Sequence, residues 1–198
     1  MANGKVITGY SKPIVAKYSF ASNQITYSDA MPLARGVDVS IDTDTGDTTN
    51  FYADNTVAES VAGQFNGATA TFTIDGLKDA ARKLIAGIVT EGSIAVGSET
   101  VSTMEYDDAQ VIPYVGIGFV VRYMENGVTS YCPVILPKAQ FSPEGLEAET
   151  QGENVEFKTS ELKASIMKAD DAKHKWKVIA ADQTTEDAAV AVLNAYFS

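Results

Sequence analysis

YVGIGFVVRYMENGVTSYCPVILP, residues 114–137, consists of two long apolar runs separated by Asn126-Gly127. Asn and Gly both tolerate the positive φ that a two-residue turn requires, so Asn-Gly between apolar runs predicts a tight β-hairpin. The two runs, residues 114–124 and 129–137, are long enough to form the centre of a sheet. The segment therefore predicts a protein built around a large antiparallel sheet.

Shorter β-rich runs, punctuated by turn residues, occur along most of the remaining chain. The predicted strands are residues 14–20, 25–27, 36–42, 50–53, 57–65 and 68–74. Ser22-Asn23 separates the first two of them and Asn66-Gly67 separates the last two, so we predict a turn at each pair. Residues 91–112 contain only brief apolar pairs and show the least defined pattern.

The alternation of side chains in residues 36–42 predicts a half-buried strand. The apolar set is Val37, Val39 and Ile41, and the polar set is Asp38, Ser40 and Asp42. A polar segment, residues 43–49, follows this strand. We therefore expect the strand to lie at a surface, with the polar set facing solvent.

Two segments have the apolar spacing of helices that pack one face on a sheet. The first is predicted to begin after Asp75 as its N-cap and to end near Gly87. The second is predicted to begin after Thr184 or Thr185 as its N-cap. Their apolar stripes are Leu77, Ala81, Leu84, Ile85 and Ile88 in the first, and Ala189, Val192, Leu193 and Tyr196 in the second. Two helices beside about ten strands predict an α+β fold that is mainly antiparallel β.

Composition excludes several classes of protein. The chain has 198 residues and a formal net charge of −11, from 26 acidic and 15 basic residues, so its surface as a whole should repel nucleic acid. No low-complexity linker divides it, which predicts a single domain over residues 1–198. No apolar run approaches the roughly 20 residues that span a bilayer, and residues 1–5 lack the apolar region of a signal peptide. We therefore expect a soluble protein made in the cytoplasm, without membrane insertion.

The residues that usually carry catalysis are sparse. His174 is the single histidine and lies in a basic polar run, and Cys132, the single cysteine, lies in an apolar strand where burial is expected. Because the chain has no Gly-x-Ser-x-Gly elbow, it favours no hydrolase site. Gly116 and Gly118 are similar to the start of a nucleotide-binding glycine motif, but they lie inside a strand, and we interpret them as sites of close packing. We predict neither a catalytic residue nor a cofactor.

The best metal candidate is the acidic segment DTDTGD, residues 42–47, which alternates carboxylates as calcium loops do. In an EF-hand loop, however, the glycine stands one position later and a glutamate closes the loop. Here Gly46 comes one position too early, and Ala53 stands where the glutamate is needed. The other acidic clusters, residues 105–108 and 170–171, show no convergence in sequence. We therefore predict no metal site.

Several separated segments together resemble the major tail proteins of long-tailed phages, in particular the phi13-type tail tube family of siphophages that infect Gram-positive bacteria. They are FYADN at residues 51–55, the predicted strand and helix at 68–87, the paired strands at 114–138, TQGENVEFKT at 150–159 and the closing TEDAA at 185–189. These segments occur in the order expected of the family and span most of the chain. Residues 91–112 show no family pattern.

This resemblance implies a β-sandwich with flanking helices, whose strands are shared between subunits in a ring-shaped β-barrel. The rings, usually hexameric in the family, stack into a hollow phage tail tube that delivers genomic DNA to the host. The implied partners are other copies of the chain, a tape-measure protein, and tail initiator and terminator proteins, while DNA passes without specific binding. The implied location is the virion tail, assembled in the host cytoplasm. The implied role is structural and not enzymatic.

The resemblance also gives candidate roles to particular residues. The polar row Asp38, Ser40 and Asp42 either lines the lumen or faces the outside of the tube. The candidate inter-ring loop, residues 43–55, contains Asp44, Asp47, Asn50, Tyr52, Asp54 and Asn55. Residues 1–13 are a candidate N-terminal arm for contacts between subunits. A lumen without cationic patches offers phosphates no binding sites, so DNA would slide through it with little friction.

The main alternative is a monomeric β-sandwich binding module displayed on a virion or cell surface. Its candidate residues for recognition of a protein or a sugar are Tyr106, Tyr114, Tyr123, Tyr131 and Trp176. A second alternative is an enzyme that uses a pair of carboxylates as acid and base. Self-association separates a tube protein from both alternatives, because rings and stacks require complementary surfaces on one subunit.

Overall fold

The structure is a computed structural model that describes residues 4–88, 90–146, 148, 150 and 158–198. Its strands are β1 (Val6–Ala21), β2 (Gln24–Pro32), β3 (Gly36–Thr45), β4 (Thr49–Ala53), β5 (Thr56–Val61), β6 (Phe65–Ile74), β7 (Thr90–Val96), β8 (Glu99–Glu105), β9 (Val115–Glu125), β10 (Val128–Phe141), β11 (Ser160–Ile166) and β12 (Val178–Ile179). Its helices are α1 (Asp79–Ala86) and α2 (Glu186–Tyr196). The paired strands are antiparallel. The prediction of an α+β fold with mainly antiparallel sheet is confirmed.

Eight strands form one sheet, in which β12 pairs with β10 beside the order β2-β1-β9-β10-β11-β6-β3. The central hairpin predicted from the sequence is confirmed, since β9 pairs with β10 and Asn126 and Gly127 connect them with φ of 49° and 80°. Positive φ at both turn residues gives the twist that suits an antiparallel hairpin. The turn at Ser22-Asn23 is confirmed too, with φ of 51° and 63°.

The turn predicted at Asn66-Gly67 was wrong. Both residues lie inside β6, where Gly67 pairs with Asp44 of β3 and a register shift accommodates Asn66 as an extra residue. The ladder with β3 continues past both residues to Phe65, and β11 pairs with β6 from Ala68 onward, so strand pairing overrides the local turn preference. The nearest tight turn is instead Asp54-Asn55, with φ of 50° and 63°, between β4 and β5.

The large sheet curls around the main hydrophobic core. Phe72 on β6 and Phe119 on β9 lie three strands apart in the sheet, yet their ring centroids are 6.0 Å apart. At the rim, the ring of Tyr10 on β1 lies so close to Gly36 of β3 that a Cβ on this glycine would be 2.1 Å from it. The two halves of the sheet therefore face each other across a single core, and β3 approaches β1.

The helix α1 begins later than predicted. Asp75 is not its N-cap; the preceding position is Lys78, whose side chain makes no capping hydrogen bond. The carboxylate of Asp75 is instead held by Arg35, through its backbone N–H at 2.9 Å and its guanidinium group. Gly87 ends the helix as predicted, with φ of 65°, the left-handed conformation that favours glycine.

The helix α2 packs on the other face of the sheet, above β9 and β10. Thr185 caps it as predicted, since its Oγ1 accepts a hydrogen bond of 3.2 Å from the backbone N–H of Ala188. A second, smaller core joins Phe197 to buried residues of β1, β9 and β10. A Cβ on Gly116 or Gly118 would lie 2.6 Å or 2.8 Å from the ring of Phe197. The interpretation of these glycines as sites of close packing is confirmed.

Candidate lumen and assembly surfaces

Strands β3, β6 and β11 present a continuous polar face on the side away from the main core. The alternation predicted for β3 holds from Asp38 to Asp42, and polar residues of β6 and β11 lie directly opposite. Across the three strands the rows are Asp38, Thr73 and Glu161; Ser40, Thr71 and Lys163; and Asp42, Thr69 and Ser165. The residues between them along each strand face the core. We term these nine residues the polar sheet face.

The polar sheet face is weakly anionic. Its three carboxylates, from Asp38, Asp42 and Glu161, outnumber the one ammonium of Lys163, and the remaining five side chains are hydroxyls. Hydroxyl groups carry no charge, and the strong salt-dependent part of nucleic-acid binding comes from cationic groups. Because Lys163 lies in the row between those of Glu161 and Asp42, carboxylates flank its charge. The face is hydrophilic, but it has no cluster of cations that would bind a polyanion.

The start of β3 departs from the predicted burial. A register shift between Gly36 and Asp38 leaves Val37 without a partner on β6, and its side chain is 54% exposed. Val39 and Ile41 pack against the main core as predicted. Val37 lines an apolar groove together with Val39 and Ile41, so it lies on the predicted side, but it is more exposed than predicted and does not pack against the core.

The sheet ends in two strand edges, at β2 and at β3. Within the described residues, no further strand pairs with the outer side of either one. β3 contains neither proline nor lysine, which commonly protect a free edge, and β2 contains only Pro32 at its end. An unpaired edge is a template for a strand of another chain. The two edges are therefore candidate sites of strand pairing between copies.

The β4–β5 hairpin stands apart from both cores, and every residue of its two strands is exposed. Tyr52 lies opposite Val57, whereas Phe51 lies opposite Glu59 on the other face of the hairpin. Apolar side chains therefore occur on both faces. An isolated two-stranded hairpin is marginally stable in water. These exposed apolar residues make the hairpin a candidate contact element for other molecules.

The candidate inter-ring loop at residues 43–55 is only partly a loop. Asp44 belongs to β3, Asp47 to the connection before β4, Asn50 and Tyr52 to β4, and Asp54 and Asn55 to the turn at the hairpin tip. The carboxylate of Asp44 accepts a hydrogen bond of 2.9 Å from the side-chain amide of Asn66 on β6. The structure thus brings the last four of these residues together on one hairpin and leaves Asp44 on the main sheet.

Sequence reasoning missed a second projecting hairpin, β7–β8, within the segment of least defined pattern. Ile94 lies opposite Val101, and Val96 follows Ile94 by two positions, so these three exposed residues share one face. The turn residue Gly97 has φ of 63°. Gly97-Ser98 between alternating residues was the available signal, but the flanking runs are too short and too polar for it to stand out.

A polar cavity of about 720 Å³ lies between the β1–β2 turn, residues 169–175 and the end of α2. Asp170 in this cavity accepts hydrogen bonds of 2.7 Å from the ammonium of Lys138 and from the hydroxyl of Tyr18, and these two bonds lower the pKa of its carboxyl. Asp171 is paired with Lys175 at 3.0 Å. A general acid at neutral pH needs a raised carboxyl pKa. The cavity therefore has the charge arrangement of a structural ion-pair cluster.

The aromatic residues of the binding-module alternative do not form one surface. Trp176 stacks on Phe65 of β6, with ring centroids 4.2 Å apart. Tyr123 and Tyr131 are half-buried on β9 and β10, and Tyr106 and Tyr114 are exposed near the two ends of residues 106–114. Packing inside the fold accounts for Trp176, which leaves Tyr106 and Tyr114 as the exposed members of the set.

The remaining predicted features are the candidate N-terminal arm, Cys132 and the TQGENVEFKT segment. Residues 6–13 of the candidate N-terminal arm belong to β1, where Val6–Ser11 pair with β9. Cys132 is buried, as predicted, and is a free thiol. Residues 1–3 of the arm and residues 151–157 of the TQGENVEFKT segment lie outside the described residues.

Comparisons with known proteins add no relative: no family model matches the chain, and no curated protein matches its sequence. In the part of the chain that the structure describes, no helix is long and apolar enough to cross a membrane. In that same part, no three His, Cys, Asp or Glu side chains converge as a metal site would require.

Proposed function

We propose that this chain is a structural virion protein that self-assembles into stacked rings, and that these rings form the hollow phage tail tube through which DNA reaches the host. The observation that carries the proposal is the pair of unpaired edges, β2 and β3, at the two ends of one eight-stranded sheet. The family resemblance of residues 51–55, 68–87 and 114–138 supports the same function.

Ring formation would follow from pairing of β3 of one copy with β2 of the next. Barrels of roughly 16 to 18 strands are needed before a water-filled channel opens, so several copies have to share one barrel. Because the two edges differ, the contact is heterologous. It closes into a ring when the rotation per subunit is a whole fraction of a full turn. Hexameric rings, the usual state in the family, would leave neither the β2 edge nor the β3 edge free.

The polar sheet face is the proposed lumen surface. It includes the candidate residues Asp38, Ser40 and Asp42, and it lies next to the β3 edge that would take part in ring closure. This face has five hydroxyls, three carboxylates and one ammonium group, so it offers phosphate groups little net attraction, and DNA would move past it without specific binding. The net charge of −11 supports the same passive role.

The β4–β5 hairpin is the proposed stacking element between rings. It carries Asn50, Tyr52, Asp54 and Asn55, and the apolar residues on both of its faces suit insertion between two neighbouring subunits. Burial of Phe51 and Val61, which are 65% and 66% exposed in the single chain, would contribute to stacking at roughly 25 cal/mol per Å² of apolar surface.

The proposed partners are other copies of this chain, the tape-measure protein, and the tail initiator and terminator proteins. The proposed location is the virion tail, after assembly in the host cytoplasm. This role requires self-association and passive conduction, and it requires no chemistry. We accordingly propose that the protein is not an enzyme.

Negative-stain electron microscopy of the purified protein over a range of concentrations, with light scattering alongside, tests the proposal. Hollow rings or tubes of uniform diameter are the expected result. A monodisperse monomer at every concentration, also after addition of preformed tail initiator complex, would contradict it. That outcome would favour the monomeric binding module, and the exposed Tyr106 and Tyr114 would then be the first residues to substitute.

A further inference from the structure

An apolar groove opens where β3 approaches β1 and β9. Its volume is about 500 Å³, and its lining includes Tyr10, Val37, Val39, Phe119 and Ile179. Phe119 belongs to the main core and Val39 packs against it, so the groove is a place where that core opens to solvent. Val37 and Ile179 on its rim are 54% and 60% exposed. These residues form an apolar surface that the single chain leaves uncovered.

The hydroxyl of Tyr10, which lines this groove, lacks a hydrogen-bond acceptor among the described residues. This hydroxyl is also buried. Burial raises the pKa of Tyr10, so the hydroxyl stays protonated and remains a donor. A buried donor without an acceptor destabilises the chain, and an occupant that supplies an acceptor would recover part of this loss.

The β7–β8 hairpin has the complementary pattern. Ile94, Val96 and Val101 lie together on one face. The opposite face carries mainly small and polar side chains, among them Ser93 opposite Ser102, and its one large apolar side chain, Met104, is half-buried at the base of the hairpin. A hairpin with one apolar face is suited to lie flat on one apolar surface. The β4–β5 hairpin differs, because its apolar residues occupy both faces and one groove would cover only half of them.

The charges of the β7–β8 hairpin and of the groove favour the same pairing. Residues 90–105 contain Glu91, Glu99 and Glu105 and no basic residue. Glu99 lies directly opposite Val96, so it shares the apolar face at the hairpin tip. The groove is lined by Lys177 on the side of β12. The acidic tip would therefore be attracted to the β12 side of the groove, which favours one orientation of the hairpin.

We propose that the apolar face of the β7–β8 hairpin of one copy covers the groove of a second copy. The inference rests on the self-association of the proposed function, but it assigns a contact that is separate from both the β2–β3 edges and the β4–β5 hairpin. The hairpin and the groove are different surfaces of one chain. The contact is therefore heterologous and repeats from copy to copy, as a ring or a stack requires.

Disulfide trapping tests this contact directly. In a Cys132→Ala background, chains with Ile179→Cys, on the β12 side of the groove, are mixed with differently tagged chains carrying Val96→Cys, and the assembled sample is oxidised and run on a non-reducing gel. We expect a mixed dimer from this pair. The matched control replaces Val96→Cys by Val57→Cys on the β4–β5 hairpin, and we expect no mixed dimer from it.

A substitution series tests the same contact without cysteines. Val96→Asp should raise the concentration for half-maximal assembly at least tenfold, whereas Ala95→Asp, on the opposite face of the same strand, should leave it within about twofold. Rings or tubes that form without a 179–96 link, or that link 179 to 57, would overturn the inference and leave the proposed function standing. Absence of any self-association would overturn both.

Discussion

Gly118 on β9 lies directly beneath the ring of Phe197 at the end of α2, and a Cβ on this glycine would be 2.8 Å from the ring and 3.0 Å from the side chain of Leu193. The helix therefore sits on the central hairpin at a distance that only glycine permits. The contact joins the segment that defines the sheet to the last residues of the described chain.

Gly118→Ala should lower the free energy of unfolding by about 1–3 kcal/mol, because the added methyl group forces α2 away from the sheet. Urea unfolding followed by circular dichroism measures this difference. Gly76→Ala is the matched control, since a Cβ at that position meets nothing within 4 Å. Equal stability of the two variants would show that α2 is not packed against β9 as described.

The ion pair of Lys138 and Asp170 should make stability depend on pH. Its hydrogen bonds lower the pKa of Asp170, so the pair stabilises the folded state above the unfolded pKa of about 3.9, and this stabilisation disappears as pH falls through the folded pKa. Asp170→Asn should cost roughly 1 kcal/mol at pH 7, and the difference from the natural chain should shrink on acidification to about pH 2.

Urea unfolding at several pH values measures this effect, and a double-mutant cycle with Lys138→Met isolates the pair. A cost of Asp170→Asn that stays constant from pH 7 to pH 2 would assign its effect to lost packing and not to the charge interaction.

Removal of the apolar residues of the β4–β5 hairpin should shorten the tubes without unfolding the chain. Phe51→Ser with Val61→Ser changes two exposed side chains, so the free energy of unfolding should change by no more than about 0.5 kcal/mol each. Tube length in electron micrographs is the readout, and Ala58→Ser on the same hairpin is the control. Tubes of natural length from the double variant would contradict the stacking role.

Deletion of residues 44–50 is a less specific test of stacking. Asp44 and Thr45 pair with β6, so the deletion would also remove part of the main sheet. Substitution on the hairpin avoids this damage.

Lysines on the polar sheet face should make the lumen retain DNA. Ser40→Lys with Asp42→Lys introduces two cations beside Thr71 and Thr69, where phosphates would pass. Tubes assembled with short duplex DNA are sedimented at increasing salt, and we expect retention at low salt that is lost as salt rises. Asp187→Lys with Asn194→Lys, on the exposed side of α2, adds the same charge elsewhere.

Equal DNA retention by both lysine variants would show that the polar sheet face is not the lumen surface. Retention by neither variant, in tubes that form normally, would lead to the same conclusion.

Local chemistry was enough to predict much of the sheet. Asn126-Gly127 and Ser22-Asn23 adopt the positive φ values that their residue types favour. The alternation from Asp38 to Asp42 correctly separates a core face from a polar face. Thr185 caps α2 because its side chain reaches a free N–H three residues on. Each of these predictions depends on residues within one turn or one strand, where short-range preferences decide the conformation.

The sequence by itself determined the antiparallel class, the central hairpin, the buried Cys132 and the polar row on β3. Only the tertiary structure decided that β6 runs through Asn66-Gly67, that Val37 stays exposed at the rim of the groove, and that the hairpins β4–β5 and β7–β8 project from the cores. These features depend on ladders and packing between residues far apart in the chain. The local turn preference of Asn66-Gly67 is outweighed because the ladder between β3 and β6 continues past these residues.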